Sequence, residues 1–401
     1  MNNEKKLVPK LRFPEFTHAW EQRKLNQYIQ TSLEKNINNQ FSKNDVLSVS
    51  GDVGIVNQIE FQGRSFAGVS VSNYGIVNTG DIVYTKSPLK ANPYGIIKTN
   101  KGNPGIVSTL YAVYKPNAHT DSIFVQYYFE SDDRLNRYLK PLVNKGAKND
   151  MKVSDDNALI GLVNFPCYKE QQKIGAFFTA LDRYITIHQR KLENIQKLKK
   201  SLLQKMFPKN DQEFPEIRFP EFTYAWEQRA FKELAFRVSE TGMGNPLATV
   251  EYDDVVSGEG RLNKNVHLKA NNKKGIKFQS GDTLFGKLRP YLQNWLNPDF
   301  NGIAVGDWWV LRSQNLSNNY LYFLIQSDLF QTVANLSAGS KMPRSDWNIV
   351  SNTEFYVPTE KQEQQKIGTF FTALDRYITI HQRKLENIQK LKKSLLQQMF
   401  V

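Results

Sequence analysis

Two long segments of the chain repeat apolar residues at intervals of three and four. They span residues 170–207 and 363–400 and contain no proline. This spacing places the apolar side chains on one stripe of an α-helix, and its persistence over about five heptads is typical of a coiled coil. At about 1.5 Å per residue, each helix would be about 57 Å long. The predicted seam consists of Ile174, Phe178, Leu181, Ile185, His188, Leu192, Ile195 and Leu202 in the first segment, and of Ile367, Phe371, Leu374, Ile378, His381, Leu385, Ile388 and Leu395 in the second.

The rest of the chain has shorter and more mixed patterns. Alternating apolar and polar runs at residues 80–84, 109–114, 281–285 and 308–312 predict strands bounded by turn residues. Helical spacing returns at residues 122–138 and 318–336. The sequence therefore predicts an α+β fold for the parts that lie outside the long helices.

The long segments belong to an internal repeat of the whole chain. They differ from each other only at Ala176, which becomes Thr369, and at Lys205, which becomes Gln398. A short block, LRFPEFTHAWEQRK at residues 11–24, returns as IRFPEFTYAWEQRA at residues 217–230. The order of short block, variable domain and long helix thus occurs twice.

The repeat predicts the organisation of the chain into modules. These are an N-terminal constant segment (1–24), a first variable domain (25–169), a first long helix (170–207), a linker with the repeated constant segment (208–230), a second variable domain (231–362) and a C-terminal long helix (363–401). Faint matches, such as Gly80-Asp81 with Gly281-Asp282, predict that the two domains share a fold and differ in surface. The near-identical helices are either held constant by a function performed twice or form a fixed frame within which the domains are exchanged by recombination.

The charge of the chain indicates a polyanionic partner. Lysine and arginine number 53 against 39 acidic residues, which gives a formal net charge of +14. Nucleic acid is the first candidate for such a partner, and a basic surface kept for solubility is the alternative. The single cysteine, Cys167, excludes an intramolecular disulfide. Together with a polar N-terminus and the lack of a long apolar run, this predicts a cytoplasmic protein without a membrane span.

Each variable domain contains two basic loops that suit contacts with DNA. One loop follows each Gly-Asp strand, and a second occurs at residues 145–152 and 341–344. Lysine and arginine bind phosphates or guanine, and neighbouring polar or aromatic groups can contact base edges. The alternative is that Gly-Asp is only a turn and that these cations are ordinary surface residues. The candidate DNA-binding residues are Lys86, Ser87, Lys90, Tyr94, Lys145, Lys148 and Lys152 in the first domain, and Lys287, Arg289, Tyr291, Lys341 and Arg344 in the second.

The two long helices are predicted to pair with each other in antiparallel orientation. If two similar domains read the two halves of one duplex site, a dyad across the DNA lets each domain face one strand in the same way. The helix pair would then act as a ruler that sets the distance between the half-sites. The outer face of the first helix is predicted to be basic. It would carry the basic residues Lys173, Arg183, Arg190, Lys191, Lys197, Lys199, Lys200 and Lys205 and the acidic residues Glu170, Asp182 and Glu193. Near-identical outer faces favour two equivalent docking surfaces over two merely solvated ones.

This combination resembles the DNA-specificity subunit of type I restriction–modification enzymes. The resemblance covers essentially the whole chain. It rests on the two variable domains, the constant helices that each begin with Glu-Gln-Gln-Lys-Ile, the Gly-Asp strand followed by Arg289-Pro290-Tyr291, and the Gly-Ser-Lys-Met run that ends at Met342. The first domain departs from the pattern at Ser87-Pro88, where the second domain has Leu288-Arg289-Pro290.

The resemblance implies a division of labour among several subunits. The variable domains would be target-recognition domains that bind double-stranded DNA, one for each half of a bipartite and asymmetric site. The chain would hold two methylation subunits, and restriction subunits would join them in the full complex. S-adenosylmethionine, ATP and magnesium would be used by those partners, and this chain would bind no cofactor.

The residues themselves also predict a non-catalytic protein. The sequence has no phosphate-binding Gly-x-x-x-x-Gly-Lys-(Ser/Thr) loop, and Asn92-Pro93-Tyr94 lacks the second proline of an adenine-methylation motif. Five histidines and one cysteine, widely scattered, predict no zinc site, and His188 and His381 are interpreted as packed seam residues. Two other classes stay open, namely a self-contained nuclease or methyltransferase and a basic coiled-coil scaffold without sequence-specific DNA binding. The bases read and the spacer length are not encoded in any recognisable pattern.

Overall fold

The computed structural model describes residues 7–145, 151–209, 212–269, 272–336 and 341–401. The chain divides into two compact units. Unit 1 comprises Met1–His188 and Lys384–Val401, and unit 2 comprises Gln189–Arg383. Each unit therefore contains one variable domain and parts of both long helices. The module boundaries predicted from the sequence stay a prediction, because the units cut across both helices.

Unit 1 contains twelve strands among its described residues, and most of them are short. The strands are β1 (Glu21–Lys24), β2 (Ile29–Thr31), β3 (Leu47–Ser50), β4 (Gly54–Asn57), β5 (Gly75–Val77), β6 (Ile82–Thr85), β7 (Ile97–Thr99), β8 (Gly105–Val107), β9 (Tyr111–Pro116), β10 (Asn144–Lys145), β11 (Met151–Lys152) and β12 (Leu162–Phe165). The helices are α1 (Gln58–Gln62), α2 (Ser122–Tyr128), α3 (Asp132–Leu139) and the first part of α4 (Tyr168–Met206).

The centre of unit 1 is an antiparallel sheet in the order β2-β9-β6-β7. All four residues of β6 are buried. Ile82 and Tyr84 belong to the main hydrophobic core, whereas Val83 belongs to a second core on the other side. Successive side chains of a strand point to opposite faces, so this sheet is covered on both faces. That burial explains the continuous apolar run in the sequence.

Unit 2 contains the remaining elements. Its strands are β13 (Glu227–Ala230), β14 (Ala235–Arg237), β15 (Thr241–Met243), β16 (Ala248–Val250), β17 (Val255–Val256), β18 (Arg261–Leu262), β19 (Lys274–Phe278), β20 (Thr283–Gly286), β21 (Trp295–Leu296), β22 (Gly302–Ala304), β23 (Trp308–Ser313) and β24 (Glu354–Val357). Its helices are α5 (Phe231–Leu234), α6 (Asn318–Leu324), α7 (Asp328–Ala334), α8 (Trp347–Asn352) and the first part of α9 (Lys361–Gln398).

The two variable domains share their central sheet and differ around it. The sheet order β14-β23-β20-β21 in unit 2 repeats the order β2-β9-β6-β7 of unit 1. Unit 2 adds a second four-stranded sheet, β15-β19-β22-β16, in which β16 and β22 run parallel. In unit 1, the two-stranded pairs β3-β4 and β5-β8 form instead. The predicted α+β content is confirmed, and the shared sheet accounts for the faint sequence matches.

The two helices predicted within the domains are each interrupted. Residues 122–138 form α2 and α3, and residues 318–336 form α6 and α7. In unit 2 the break falls at Ser327, whose side chain accepts a hydrogen bond from the backbone N–H of Phe330 and caps the second helix. Serine is favoured at such caps over helix interiors. The apolar spacing runs on across the cap, which is why the sequence predicted one helix where the structure has two.

Within each unit, the segments of α4 and α9 pack in antiparallel orientation. In unit 1, Phe178 lies near Phe400 with ring centroids 5.8 Å apart, and Asp182 binds Lys392. Residue numbers thus rise along one helix as they fall along the other. Unit 2 shows the same relation, because Lys199 binds Asp375. Every predicted seam residue is buried or half-buried.

No helix in the described ranges has the length and apolar content that crossing a membrane requires.

The short repeated block binds the start of each long helix. Arg12 donates two hydrogen bonds to the Glu170 carboxylate at 2.7 Å, and the Trp20 indole donates a third. The hydrogen bonds to Glu170 raise the pKa of Arg12. Unit 2 repeats this arrangement with the corresponding residues, Arg218, Trp226 and Glu363.

Two residues were wrongly placed on the outer face of the helix. Glu170 is 1% exposed, because the short block covers it. Lys199 is buried as well, since it takes a seam position and binds Asp375. Polarity alone marks a residue as outward, and the partners Arg12 and Asp375 lie far from these residues in the sequence.

The aromatic cores are completed by the ends of the long helices. In unit 1, Phe400 follows the end of α9 and contacts Trp20, Phe124 and Phe178. In unit 2, Phe207 follows the end of α4 and contacts Trp226, Tyr320 and Phe371. Phe207 and Phe400 occupy the same position in the repeat. One residue type therefore closes both cores.

Replacing Arg218 with alanine should destabilise unit 2. The Glu363 carboxylate would stay buried with only the Trp226 N–H as a partner, and an uncompensated buried charge costs about 3–5 kcal/mol. Urea unfolding followed by circular dichroism measures this loss. The matched control is Lys366→Ala, which removes a half-exposed ion pair with Glu221 and should cost at most about 1 kcal/mol. Equal effects of the two substitutions would contradict the importance of the buried carboxylate.

Candidate nucleic-acid interface

The Gly-Asp pairs form turns that lead into the central strands. Gly80 and Gly281 have φ angles of 91° and 86°, which favour glycine. The buried Asp81 carboxylate accepts a hydrogen bond from the Asn78 backbone N–H at 2.8 Å, and burial raises the pKa of Asp81. Asp282 accepts the corresponding bond from Gln279 and a two-point bond from Arg312. The Gly-Asp pairs are therefore structural turns, and the candidate cations lie one strand later.

In unit 2, the two predicted basic loops lie side by side. The backbone N–H of Arg289 donates to the carbonyl of Pro343 at 2.8 Å, and that of Ser345 donates to the carbonyl of Lys287 at 2.9 Å. Leu288 and Arg344 form an antiparallel bridge between these bonds. About fifty residues separate the loops in the sequence, yet they form one short ribbon. The sequence named both loops but did not predict that they pair.

Asp307 binds two of the cations in this ribbon. Its carboxylate lies 3.6 Å from Lys287 Nζ and 3.2 Å from Arg344 Nη2. Tyr252 fixes the same corner, because its hydroxyl donates to the Asp307 carbonyl and accepts from the Leu288 N–H. Burial raises the pKa of Tyr252, so the phenol stays protonated and continues to donate. Sequence reasoning missed Asp307, which carries no motif of its own.

The exposed part of the ribbon presents Arg289, Tyr291 and Lys341. Arg289 has a φ angle of 50°, in the left-handed region that costs most residues about 1 kcal/mol or more. Gln293, at 55°, has the same strain on the other side of Pro290–Leu292, a single turn of 3-10 helix. Strained positions of this kind cluster at binding sites. The turn therefore projects a cation and an aromatic ring, a combination that suits a phosphate and a base.

In unit 1, the first predicted loop contacts a residue just beyond the second one, and the carboxylate differs from that in unit 2. Lys86 Nζ lies 2.8 Å from Asp155 Oδ1, and the Asp155 carbonyl accepts from the Tyr114 hydroxyl at 2.9 Å. Asp155 corresponds in the repeat to Asp346, whereas Lys287 of unit 2 binds Asp307. The corresponding lysines Lys86 and Lys287 are therefore neutralised by carboxylates from different positions of the two domains. Sequence reasoning missed Asp155 in this role.

The other candidates of unit 1 differ in accessibility. Lys90 is exposed, whereas Ser87 is half-buried. Tyr94 is half-buried and packs against the hydrophobic core, which favours a structural role. The chain turns directly after Tyr94, at Gly95, where a Cβ atom would lie 1.9 Å from the carbonyl oxygen of Thr85.

The second basic loop of unit 1 is described only in part. The backbones of Lys145 and Lys152 lie in the hairpin β10-β11, in which Lys145 pairs with Met151. Lys148 lies outside the described residues, as do residues 339 and 340 of the Gly-Ser-Lys-Met run in unit 2. The predicted contacts of these residues with DNA stay predictions.

Each long helix also has apolar residues outside the seam, in the same places in both copies. Tyr184 and Tyr377 are each 42% exposed, and Ile187 and Ile380 are each 54% exposed. Leu198 and Leu391 follow at 53%. Such residues, repeated on otherwise basic surfaces, mark an exposed apolar stripe on each helix. The sequence signal was their position off the heptad seam, because packing in the seam does not account for apolar residues there.

Part of the chain is similar to a known protein family. The model of the type I restriction modification DNA specificity domain matches residues 249–390. A type I restriction enzyme specificity subunit, MjaVIII, from Methanocaldococcus jannaschii is 22% identical over 265 residues. The match covers 58% of this chain and 60% of that relative, so it spans less than two thirds of the curated protein.

Solved structures share the fold over nearly the full length. The S subunit of a type I restriction-modification system from M. genitalium matches with a TM-score of 0.58 at 13% identity, over 98% of this chain and 99% of that chain. A chain from a structure on complex assembly and conformational transition of the type I R-M system matches with a TM-score of 0.52, also at 13% identity, over 94% and 96% of the two chains. At such low identity, these matches establish the fold.

Replacing Asp307 with asparagine should strengthen non-specific binding to duplex DNA. The change frees positive charge at Lys287 and Arg344, and each added phosphate contact steepens the salt dependence of log K by about 0.9. We expect about threefold to tenfold tighter binding to random duplex at low salt. Fluorescence anisotropy over a salt series measures both quantities. Asp299→Asn removes the same charge at an exposed turn, and an equal effect there would reduce the result to net charge alone.

Proposed function

We propose that the chain belongs to the DNA-specificity family of type I restriction–modification enzymes and that it supplies the sequence recognition of such an enzyme. Each variable domain reads one half of a bipartite DNA site. The two domains share a central sheet but differ in the strands and loops around it. Different loops on the same frame contact different bases, so the two half-sites differ and the whole site is asymmetric.

The observation that carries this proposal is the ribbon of unit 2. Two basic loops, named independently from the sequence, converge through the hydrogen bonds of Arg289 and Ser345. Together the two loops form one surface with exposed cations, an aromatic ring and a strained turn. Such groups suit contacts with the phosphate backbone of DNA and with base edges in its grooves. Arg289 and Lys341 are the residues of this surface that we assign to DNA contact, with Tyr291 beside them. Lys287, which is half-buried, and Arg344, which is exposed, support the ribbon through Asp307.

The long helices set the distance between the two half-sites in this proposal. The antiparallel packing within unit 1, marked by Asp182 and Lys392, and within unit 2, marked by Lys199 and Asp375, supports one antiparallel coiled coil that joins the domains. A helix of about 57 Å exceeds one turn of B-DNA, which is about 34 Å, so it can span two half-sites.

The exposed stripes of the helices are the proposed docking surfaces for two methylation subunits. The support is the equal exposure of the paired residues Tyr184 and Tyr377, Ile187 and Ile380, and Leu198 and Leu391. Two identical surfaces suit two copies of one partner. Restriction subunits complete the assembly, and the partners use S-adenosylmethionine, ATP and magnesium. The chain itself is proposed to be non-catalytic and to bind no cofactor, and its cytoplasmic location stays a prediction.

Single-molecule sequencing of adenine methylation in the host genome tests the proposal. We expect one methylated motif with two different half-sites and an unspecified gap, which disappears when this gene is deleted and returns with it. A continuous or palindromic motif would contradict two independent recognition domains. An unchanged methylome after deletion would favour the basic scaffold. Methylation or cleavage by the purified chain alone would instead indicate a self-contained enzyme.

Lengthening both helices by one heptad should lengthen the gap and leave the half-sites unchanged. Seven residues add about 10.5 Å of helix, which corresponds to about three base pairs at 3.4 Å each. The insertions belong after Gln189 in α4 and after Gln382 in α9, which are equivalent positions in the repeat. The methylated motif of the variant measures the gap. An insertion of seven glycine-rich residues in the linker at residues 208–216 is the control, and an unchanged gap in the helix variant would contradict the ruler.

A further inference from the structure

Two ion pairs that are shielded from solvent to different degrees join the long helices, one in each unit. In unit 2, Lys199 Nζ lies 2.6 Å from Asp375 Oδ1 and donates to Gln326 Oε1 at 3.2 Å. In unit 1, Lys392 Nζ lies 2.7 Å from Asp182 Oδ1. Lys199 and Lys392 are the same position of the repeat, and so are Asp182 and Asp375. Each helix therefore provides the acid of one pair and the base of the other.

The position of each lysine makes its partner essential. Lys199 interrupts the apolar seam, where its side chain is only 11% exposed. A buried ammonium group without a counter-charge is strongly unfavourable, and a polar residue at such a position is known to select orientation and register in coiled coils. Burial raises the pKa of Asp375, and Lys199 opposes that shift by favouring the carboxylate. The two charges thus depend on each other.

Other pairings of the same helices bring the wrong groups together. In a parallel pair in register, Lys199 and Lys392 would face each other in the seam. In an antiparallel pair shifted by one heptad, Lys199 would lie beside Gln382 or Gly368 in place of Asp375, and neither residue carries negative charge. The same shift removes the partner of Lys392, because the repeat makes the two pairs equivalent. Of these three alignments, only the observed orientation and register satisfies both lysines.

We propose that Asp182–Lys392 and Lys199–Asp375 form a charge code that selects the antiparallel orientation and the register of the helix pair. The apolar seam residues repeat every heptad and tolerate shifts by seven residues, whereas Asp182 and Asp375 are each the single aspartate of their helix. Packing therefore supplies the attraction between the helices, and the two ion pairs choose the alignment.

The variable domains add different partners to the same code. In unit 1, the Tyr127 hydroxyl donates to Asp182 at 2.8 Å, and Glu130 lies 3.6 Å from Lys392. In unit 2, Phe323 and Gln326 occupy the corresponding places, and the pair borders a cavity of about 310 Å³. The unit 2 pair is simpler, because within the described part of the chain no second carboxylate forms an ion pair with Lys199, so it is the better pair to test.

Thermal unfolding of charge-reversed full-length chains tests the code in unit 2. Lys199→Asp and Asp375→Lys alone should each lower the Tm by roughly 5–10 °C, since each places like charges together in a buried position. The double variant restores opposite charges and should recover at least half of that loss. Lys197→Asp, at an exposed position of the same helix, is the matched control. Single variants that melt like this control, or a double variant that recovers nothing, would overturn the inference.

Disulfide cross-linking measures the register itself. In a Cys167→Ser background, Ile195→Cys with Ile378→Cys reports the observed alignment, and Ile195→Cys with Leu385→Cys reports a shift of one heptad. Lys199→Gln with Asp375→Asn removes the charges but keeps hydrogen-bonding side chains, so this variant should still fold. We expect the ratio of observed to shifted cross-link to fall at least fivefold in it. An unchanged ratio would overturn the inference, and neither assay contains DNA, so a failure here leaves the proposed function untouched.

Discussion

The packing of one phenylalanine from the end of a long helix into each domain core is the constraint on which the structure depends. Phe400 closes the core of unit 1, and Phe207 closes that of unit 2. Each core also holds residues from the beginning of the other long helix, such as Phe178 and Phe371. Because both helices enter both cores, neither domain can be completed by its own half of the repeat. The near-identity of the helices follows from this shared duty, since each must fit two different domains.

The constant and variable parts meet at a few defined contacts. Arg12 with Glu170 and Arg218 with Glu363 are the same in both units, so they attach the helices without regard to the domain. Glu130 and Gln326, by contrast, come from the variable domains and touch the same lysine of the repeat. A domain that replaces another must therefore match the helix at few positions, while its loops are free to differ. This division explains how one frame can present two different loop surfaces.

The sequence predicted what depends on period and repetition. The seam from Ile174 to Leu202 and the strands around Ile82 and Leu284 were readable, because apolar spacing reports burial directly. The buried Glu170 and Lys199 were not, since their partners Arg12 and Asp375 are distant in the sequence and polarity alone indicates exposure. The pairing of the loops at Leu288 and Arg344 was also out of reach, although each loop was named. The local pattern of the sequence indicates which apolar residues are buried. Tertiary contacts decide which charged residues are neutralised and which stay exposed.

Unit 1 is assembled from the first and the last parts of the chain, and this has a consequence for synthesis. When the ribosome has produced the whole of the first domain, the sites beside Trp20, Phe124 and Phe178 still lack Phe400. Unit 2 uses one continuous stretch, Gln189–Arg383, and all of it emerges before Lys384. The domain that is translated first is therefore the last to close its core. Its apolar groove stays open during translation of the second half, and exposed apolar surface of this kind is prone to aggregation until it is covered.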